Sequence, residues 1–192
     1  GTSSEFGVQY DSLADLVSFG MAPSLVMYHW ALSTMKLDGT LLGKVGWAAA
    51  FLYAACAALR LARFNTQVGS VDKRWFIGLN SPSAAGMMMA FVWSMNEFRW
   101  NGQELRYFAL ALTVTCALLM VSRFRYTSFK GSGQDKQRED KVPFRMAILV
   151  VGVLVALFID PPRVLLLMAA TYAISGPAYW LWLKLKPKSK IA

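Results

Sequence analysis

The grouping of apolar residues restricts this chain more than any other feature. They arrive in six blocks, roughly residues 13–33, 42–62, 82–98, 105–121, 143–159 and 164–183, separated by short charged clusters. Crossing a ~30 Å hydrocarbon core takes ~20 mostly apolar residues in a helix. With 56% hydrophobic and 16% charged residues, the whole chain has the composition of a membrane protein. The pattern predicts an all-α fold, a polytopic transmembrane helix bundle of about six spans that forms a single integral membrane domain over residues 1–192.

Lysine and arginine set the orientation. Four fall between Arg60 and Arg74, seven between Arg123 and Arg145, and four in the tail from Lys184 to Lys190. The alternate loops hold only Lys36 and Lys44, Arg99 and Arg106, and Arg163. Positive residues accumulate on the cytoplasmic side, so both ends of the chain and the loop at 122–142 are assigned there. The polar stretch KGSGQDKQREDK at 130–141 reads either as a solvated connector or as a patch for anionic lipid. No nucleic-acid partner is indicated, because the net charge of +9 lies between apolar blocks and not along one polar face.

Several residues have plain structural readings. Cys56 and Cys116 fall inside apolar blocks as small hydrophobes, and the only histidine, His29, has no ligand set around it. Ser81 before Pro82 reads as a helix cap, with 75–80 as an interfacial approach. Ser175, Gly176 and Pro177 predict a kink in the last span, since proline removes a helix hydrogen bond. Ala50, Ala54, Ala58 and Ala62 form a small-residue stripe for close packing, either within the bundle or against a second copy.

The residues that ask for chemistry are Asp11 and Asp15, at the mouth of the first block. In a helix they share one face a turn apart, where like charges repel. A divalent cation would neutralise them, because carboxylate oxygens are the hard ligands that magnesium and manganese prefer. Acids in a first helical turn that stay wet and favour the helix dipole are the other reading, and the spacing alone does not separate the two. Arg60 and Arg63, three apart, share a face as well. They read as a fork for a phosphate or carboxylate, with Asn65 beside them, or as snorkelling arginines that set topology.

Gly7 completes the pattern Gly-x3-Asp-x3-Asp as GVQYDSLAD. This resembles the second half of the signature of the CDP-alcohol phosphotransferase family, Asp-Gly-x2-Ala-Arg-x8-Gly-x3-Asp-x3-Asp. The stretches DLVSFGMAP (15–23), ALRLARFN (58–65) and FIGLNSPSAA (76–85) resemble the branch whose acceptor is L-serine, with Asn80 where that branch more usually has Gly-Leu-Pro-Ser-Pro. The chain begins inside the eight-residue spacer. The resemblance therefore implies an N-terminally truncated domain, inactive alone, with Asp-Gly-x2-Ala-Arg and two further spans upstream.

The resemblance also implies the chemistry. Asp11 and Asp15 would hold a divalent cation, Mg2+ or Mn2+, with Asp15 also the general base. Gly7 would let the backbone approach the nucleotide, its other reading being a flexible entry to the helix. CDP-diacylglycerol would donate a phosphatidyl group to L-serine, releasing CMP. Arg60, Arg63 and Asn65, with Lys73 and Arg74 as weaker candidates, would bind the anionic groups of the substrates. A homodimer in the bacterial cytoplasmic membrane, with its active site facing the cytoplasm, is the implied setting. Glycerol 3-phosphate or inositol phosphate as acceptor is the alternative within the family. A transporter bundle is the alternative outside it, and would need ionisable residues deep in several spans, where spans three to six hold almost none.

Overall fold

The structure, a computed structural model, describes residues 5–67, 75–127 and 144–185. Every expected apolar block is helical. The first folds as α1 (Glu5–Asp15), a π-helical segment (Leu16–Met21) and α2 (Ala22–Trp30), followed by a 3-10 segment (Leu32–Asp38). Then come α3 (Thr40–Gln67), α4 (Ser81–Glu97), α5 (Arg106–Val121), α6 (Phe144–Ile159) and α7 (Pro161–Leu185). Among the described residues, two stretches, Thr40–Thr66 and Pro161–Trp182, are long and apolar enough to cross a membrane. At 16 residues each, α5 and α6 rise only ~24 Å.

The bundle carries one small ribbon that the apolar pattern does not reveal. β1 (Trp75–Ile77) pairs antiparallel with β2 (Arg125–Thr127), with Phe76 opposite Tyr126. The stretch read as an interfacial approach is thus partly a strand. The start of the 122–142 loop is its partner, while residues 128–143 lie outside the described residues. Gly78 follows β1 at φ 82, and a Cβ there would stand 2.4 Å from the Met120 carbonyl oxygen. Its N–H donates to the Phe124 carbonyl at 2.8 Å, and Leu79 N–H donates to the Leu119 carbonyl at 3.0 Å.

The cap of α4 is Asn80 and not Ser81. Asn80 has extended backbone, and its Oδ1 accepts from Ser83 N–H at 2.9 Å. An N-cap side chain has to reach the N–H two or three residues on, which Asn80 does, leaving the Ser81 hydroxyl for another partner. The departure at position 80 is therefore a change of turn chemistry.

Small side chains set the packing. Ala49, Ala57, Ala84, Ala109 and Ala117 are buried in a core that also takes in Tyr53 and Met88. Lipid tails are as apolar as leucine, so close backbone approach and dispersion contacts hold such helices together. The alanine stripe does not act as a unit: Ala50 is buried, Ala54 and Ala58 are half-buried, and Ala62 is exposed. α6 packs on α7 and leaves Phe158 89% exposed, a surface that lipid and not water would cover.

Two prolines lie inside helices. In the α register the N–H of residue 177 would meet the carbonyl of 173 and that of residue 23 the carbonyl of 19, or of 18 in the π register found before Pro23; proline has no N–H. The Tyr53 hydroxyl, from α3, donates to the Phe19 carbonyl at 3.1 Å. The Tyr126 hydroxyl, from β2, donates to the Ala173 carbonyl at 3.0 Å. Both tyrosines are fully buried. Just before Pro23 the helix widens to the π register, with Ala22 N–H reaching back to the Val17 carbonyl. Pro177, where the sequence predicts a kink, lies inside α7, which continues to Leu185.

Candidate active site

Gly7, Asp11 and Asp15 lie at successive i, i+4 positions of α1 and so line one face of it. Gly7 lies in the first turn of the helix. Asp11 is exposed and Asp15 half-buried, at the junction with the π segment. Ser12 fixes this helix to α3: its hydroxyl donates to the Val8 carbonyl at 3.0 Å and accepts from Asn65 Nδ2 at 2.9 Å. Asn65 therefore spends one amide N–H on holding the acid-bearing helix in place.

Arg60 reaches from α3 toward the start of α4, where its Nη1 donates to Ser81 Oγ at 2.8 Å. Its Nε is buried and has no hydrogen-bond partner among the described residues. Asp15 and Tyr172 are close enough to act on the guanidinium electrostatically. Arg63, one turn on, points elsewhere. Its Nη1 donates to the Val121 carbonyl, the last of α5, at 3.1 Å. A cation there complements the negative end of the helix dipole. The neighbouring carbonyls are also taken, Leu118 by Ser122 N–H at 2.9 Å and Leu119 by the Ser122 hydroxyl at 2.7 Å. Lys73 and Arg74 lie outside the described residues.

One end of the bundle thus gathers the acid pair, Arg60 and Arg63. At the other end the described residues form a set of ties. Arg106 forks onto Asp38, with Nη2 donating to Oδ1 at 2.7 Å, and Tyr107 donates to the same carboxylate at 3.0 Å. Trp30 Nε1 donates to Asn96 Oδ1 at 3.0 Å, and the Arg163 guanidinium stands 4.5 Å from the centre of the Phe98 ring. The Arg106 hydrogen bond, more than the opposing desolvation, holds the Asp38 carboxyl below the usual carboxylate range.

For a divalent cation the donor set is right in kind and partial in number. Two hard carboxylates face one way, and among the described residues no group of three His, Cys, Asp or Glu side chains converges. Further ligands would come from elsewhere in the protein or from substrate phosphate. Ser12, Ser81, Tyr126 and Tyr172 escape sequence reading, because each matters through a partner far along the chain. The sole signal for Tyr126 is Pro177 itself, whose place in a helix demands an outside donor.

The chain belongs to the CDP-alcohol phosphatidyltransferase family, matching it over residues 1–121. It is membrane-embedded, as that family is. Its relatives point to one activity. The chain is 34% identical over 185 residues to the CDP-diacylglycerol-serine O-phosphatidyltransferase of Helicobacter pylori, covering 96% of this chain and 72% of the relative. It is 30% identical over 177 residues to the protein of that name from Methanocaldococcus jannaschii, with 92% and 71% covered. For the Bacillus subtilis protein of the same name the figure is 36% over 129 residues, with 66% and 62% covered.

Proposed function

We propose that the protein transfers a phosphatidyl group from CDP-diacylglycerol to the hydroxyl of L-serine, giving phosphatidylserine and CMP. The observation that carries this is a carboxylate pair on one helix face, with Asp15 acting electrostatically on an arginine whose Nε is unpaired among the described residues, at one end of an apolar bundle, in a chain aligned over 96% of its length with relatives of that name. The serine oxygen attacks the phosphorus that bears diacylglycerol, the bond to the CMP oxygen breaks, and the hydroxyl proton passes to the Asp15 carboxylate. Asp11 and Asp15 would hold the divalent cation, magnesium or manganese, which when bound neutralises phosphate oxygens and the CMP leaving group. Gly7, without a Cβ, leaves room for nucleotide beside the same helix face.

Arg60 is the residue best suited to an anionic group of the acceptor. It keeps its charge at any working pH, and its buried Nε, unpaired among the described residues, would take a serine carboxylate or a phosphate oxygen. Arg63 has donors left after capping α5, and Asn65 has a second N–H. Lys73 and Arg74 would extend the anion site. The reading includes six crossings, both ends of this chain and the site at the cytoplasmic face of the bacterial cytoplasmic membrane, and a homodimer.

The test is CMP release by the full-length protein in detergent–lipid micelles, with CDP-diacylglycerol and each candidate acceptor in turn. Release that depends on serine and on magnesium or manganese, and is lost in D15N, is expected. Serine-independent release, or release with glycerol 3-phosphate or inositol phosphate alone, would overturn the acceptor assignment.

A further inference from the structure

α7 contributes Tyr172 to the neighbourhood of Arg60, and something has to fix α7 there. Four observations bear on how. The Ala173 carbonyl, next to Tyr172, is the one that Pro177 leaves without a helical donor. The Tyr126 hydroxyl takes it at 3.0 Å. The Tyr126 and Tyr172 rings lie 5.4 Å apart, centre to centre, tilted by 38°. Gly176 makes the approach possible, since a Cβ there would fall 2.4 Å from the Tyr126 ring.

We infer that Tyr126 is a positioning residue of the acceptor site: by occupying the carbonyl that Pro177 frees, it clamps α7 to the β1–β2 ribbon and keeps Tyr172 in the neighbourhood of Arg60. Tyr126 touches no reacting atom and acts through its neighbours. The ribbon is bound in turn to the end of α5 through Gly78 and Leu79, the same helix end that Arg63 caps. Three elements around the site therefore share one fixed frame. Burial pushes the Tyr126 phenol up to about 12, so the hydroxyl remains a donor across the working pH range. The inference rests on the reading of Arg60 as an acceptor-binding residue.

The experiment is a double-mutant cycle in the full-length protein. Y126F removes the hydroxyl and keeps the ring, while P177A restores a backbone N–H that can bond the Ala173 carbonyl from within the helix. Y126F is expected to raise KM for serine about tenfold, with kcat and KM for CDP-diacylglycerol changed less than about twofold; tenfold corresponds to ~1.4 kcal/mol. In the P177A background Y126F should change serine KM by less than about twofold. An unchanged serine KM in Y126F, or a full defect that persists beside P177A, overturns the inference. So does a Y126F protein with a lowered thermal midpoint and no shift in KM.

Failure of the acceptor assignment looks different. Wild-type protein that uses another hydroxyl acceptor refutes serine, and the same comparison is then read in that acceptor's KM. The thermal midpoint reads the clamp without turnover: Y126F must lower it beside Pro177 and not beside P177A. Equal shifts in both backgrounds refute the clamp even in an inert protein.

Discussion

Replacing Tyr53 by phenylalanine tests the way this bundle accommodates a proline beside its acid pair. The Tyr53 ring is fully buried and its hydroxyl donates to the Phe19 carbonyl at 3.1 Å, one turn beyond Asp15. Y53F keeps the ring in place and strips one buried carbonyl of its side-chain donor. Leaving such a group unpaired costs about 1–3 kcal/mol. For a chain of 192 residues, where each kcal/mol moves the midpoint by about 2–4 °C, the expected loss is about 2–12 °C. P23A lets this turn return from the π to the α register, in which the N–H of residue 23 meets the Phe19 carbonyl, so in that background Y53F should cost less than about 0.5 kcal/mol. The assay is the thermal midpoint of the four purified proteins in one detergent at one scan rate, followed by tryptophan fluorescence. Equal losses from Y53F in both backgrounds would refute the argument, because the hydroxyl would then be stabilising something other than the carbonyl that proline frees.

Three further outcomes follow from the site and its ties. D11N and D15N each remove one negative charge from the pair and should abolish measurable turnover, at least a thousandfold in kcat for D15N, without lowering the thermal midpoint; retained activity in D15N would exclude it as base. R60K keeps the charge but loses the planar fork and its bond to Ser81, so KM for the acceptor should rise ~10-fold or more, which acceptor titration checks. The Asp38–Arg106 tie has a lowered folded-state carboxyl pKa, so its contribution to stability is present above the ordinary carboxyl range and is lost only as pH falls through the lowered value. D38N should therefore abolish whatever part of the acid destabilisation, followed by midpoint from pH 6 to 3, belongs to this pair.

Relatives with serine transferase names align across the apolar blocks and the site alike, yet the two kinds of information were unequally visible in the chain. Apolar runs long enough for helices, the Gly7–Asp11–Asp15 face and the arginines of α3 are all local patterns. A helix places neighbours at i+4 whatever the rest of the molecule does, so these could be read directly. The cap at Asn80 obeys the same local logic, one position before the more conspicuous Ser81.

The contacts that join the helices followed another rule. Ser81 sits 21 residues from Arg60, Tyr53 34 from Phe19, and Tyr126 47 from Ala173. Sequence alone determined that Pro23 and Pro177 would each leave a carbonyl in need of a donor, because the missing N–H is a property of proline itself. Only the tertiary structure decided which side chain would answer, since a donor must arrive within about 3 Å, and that depends on how closely glycine and alanine let separate helices and a two-stranded ribbon approach.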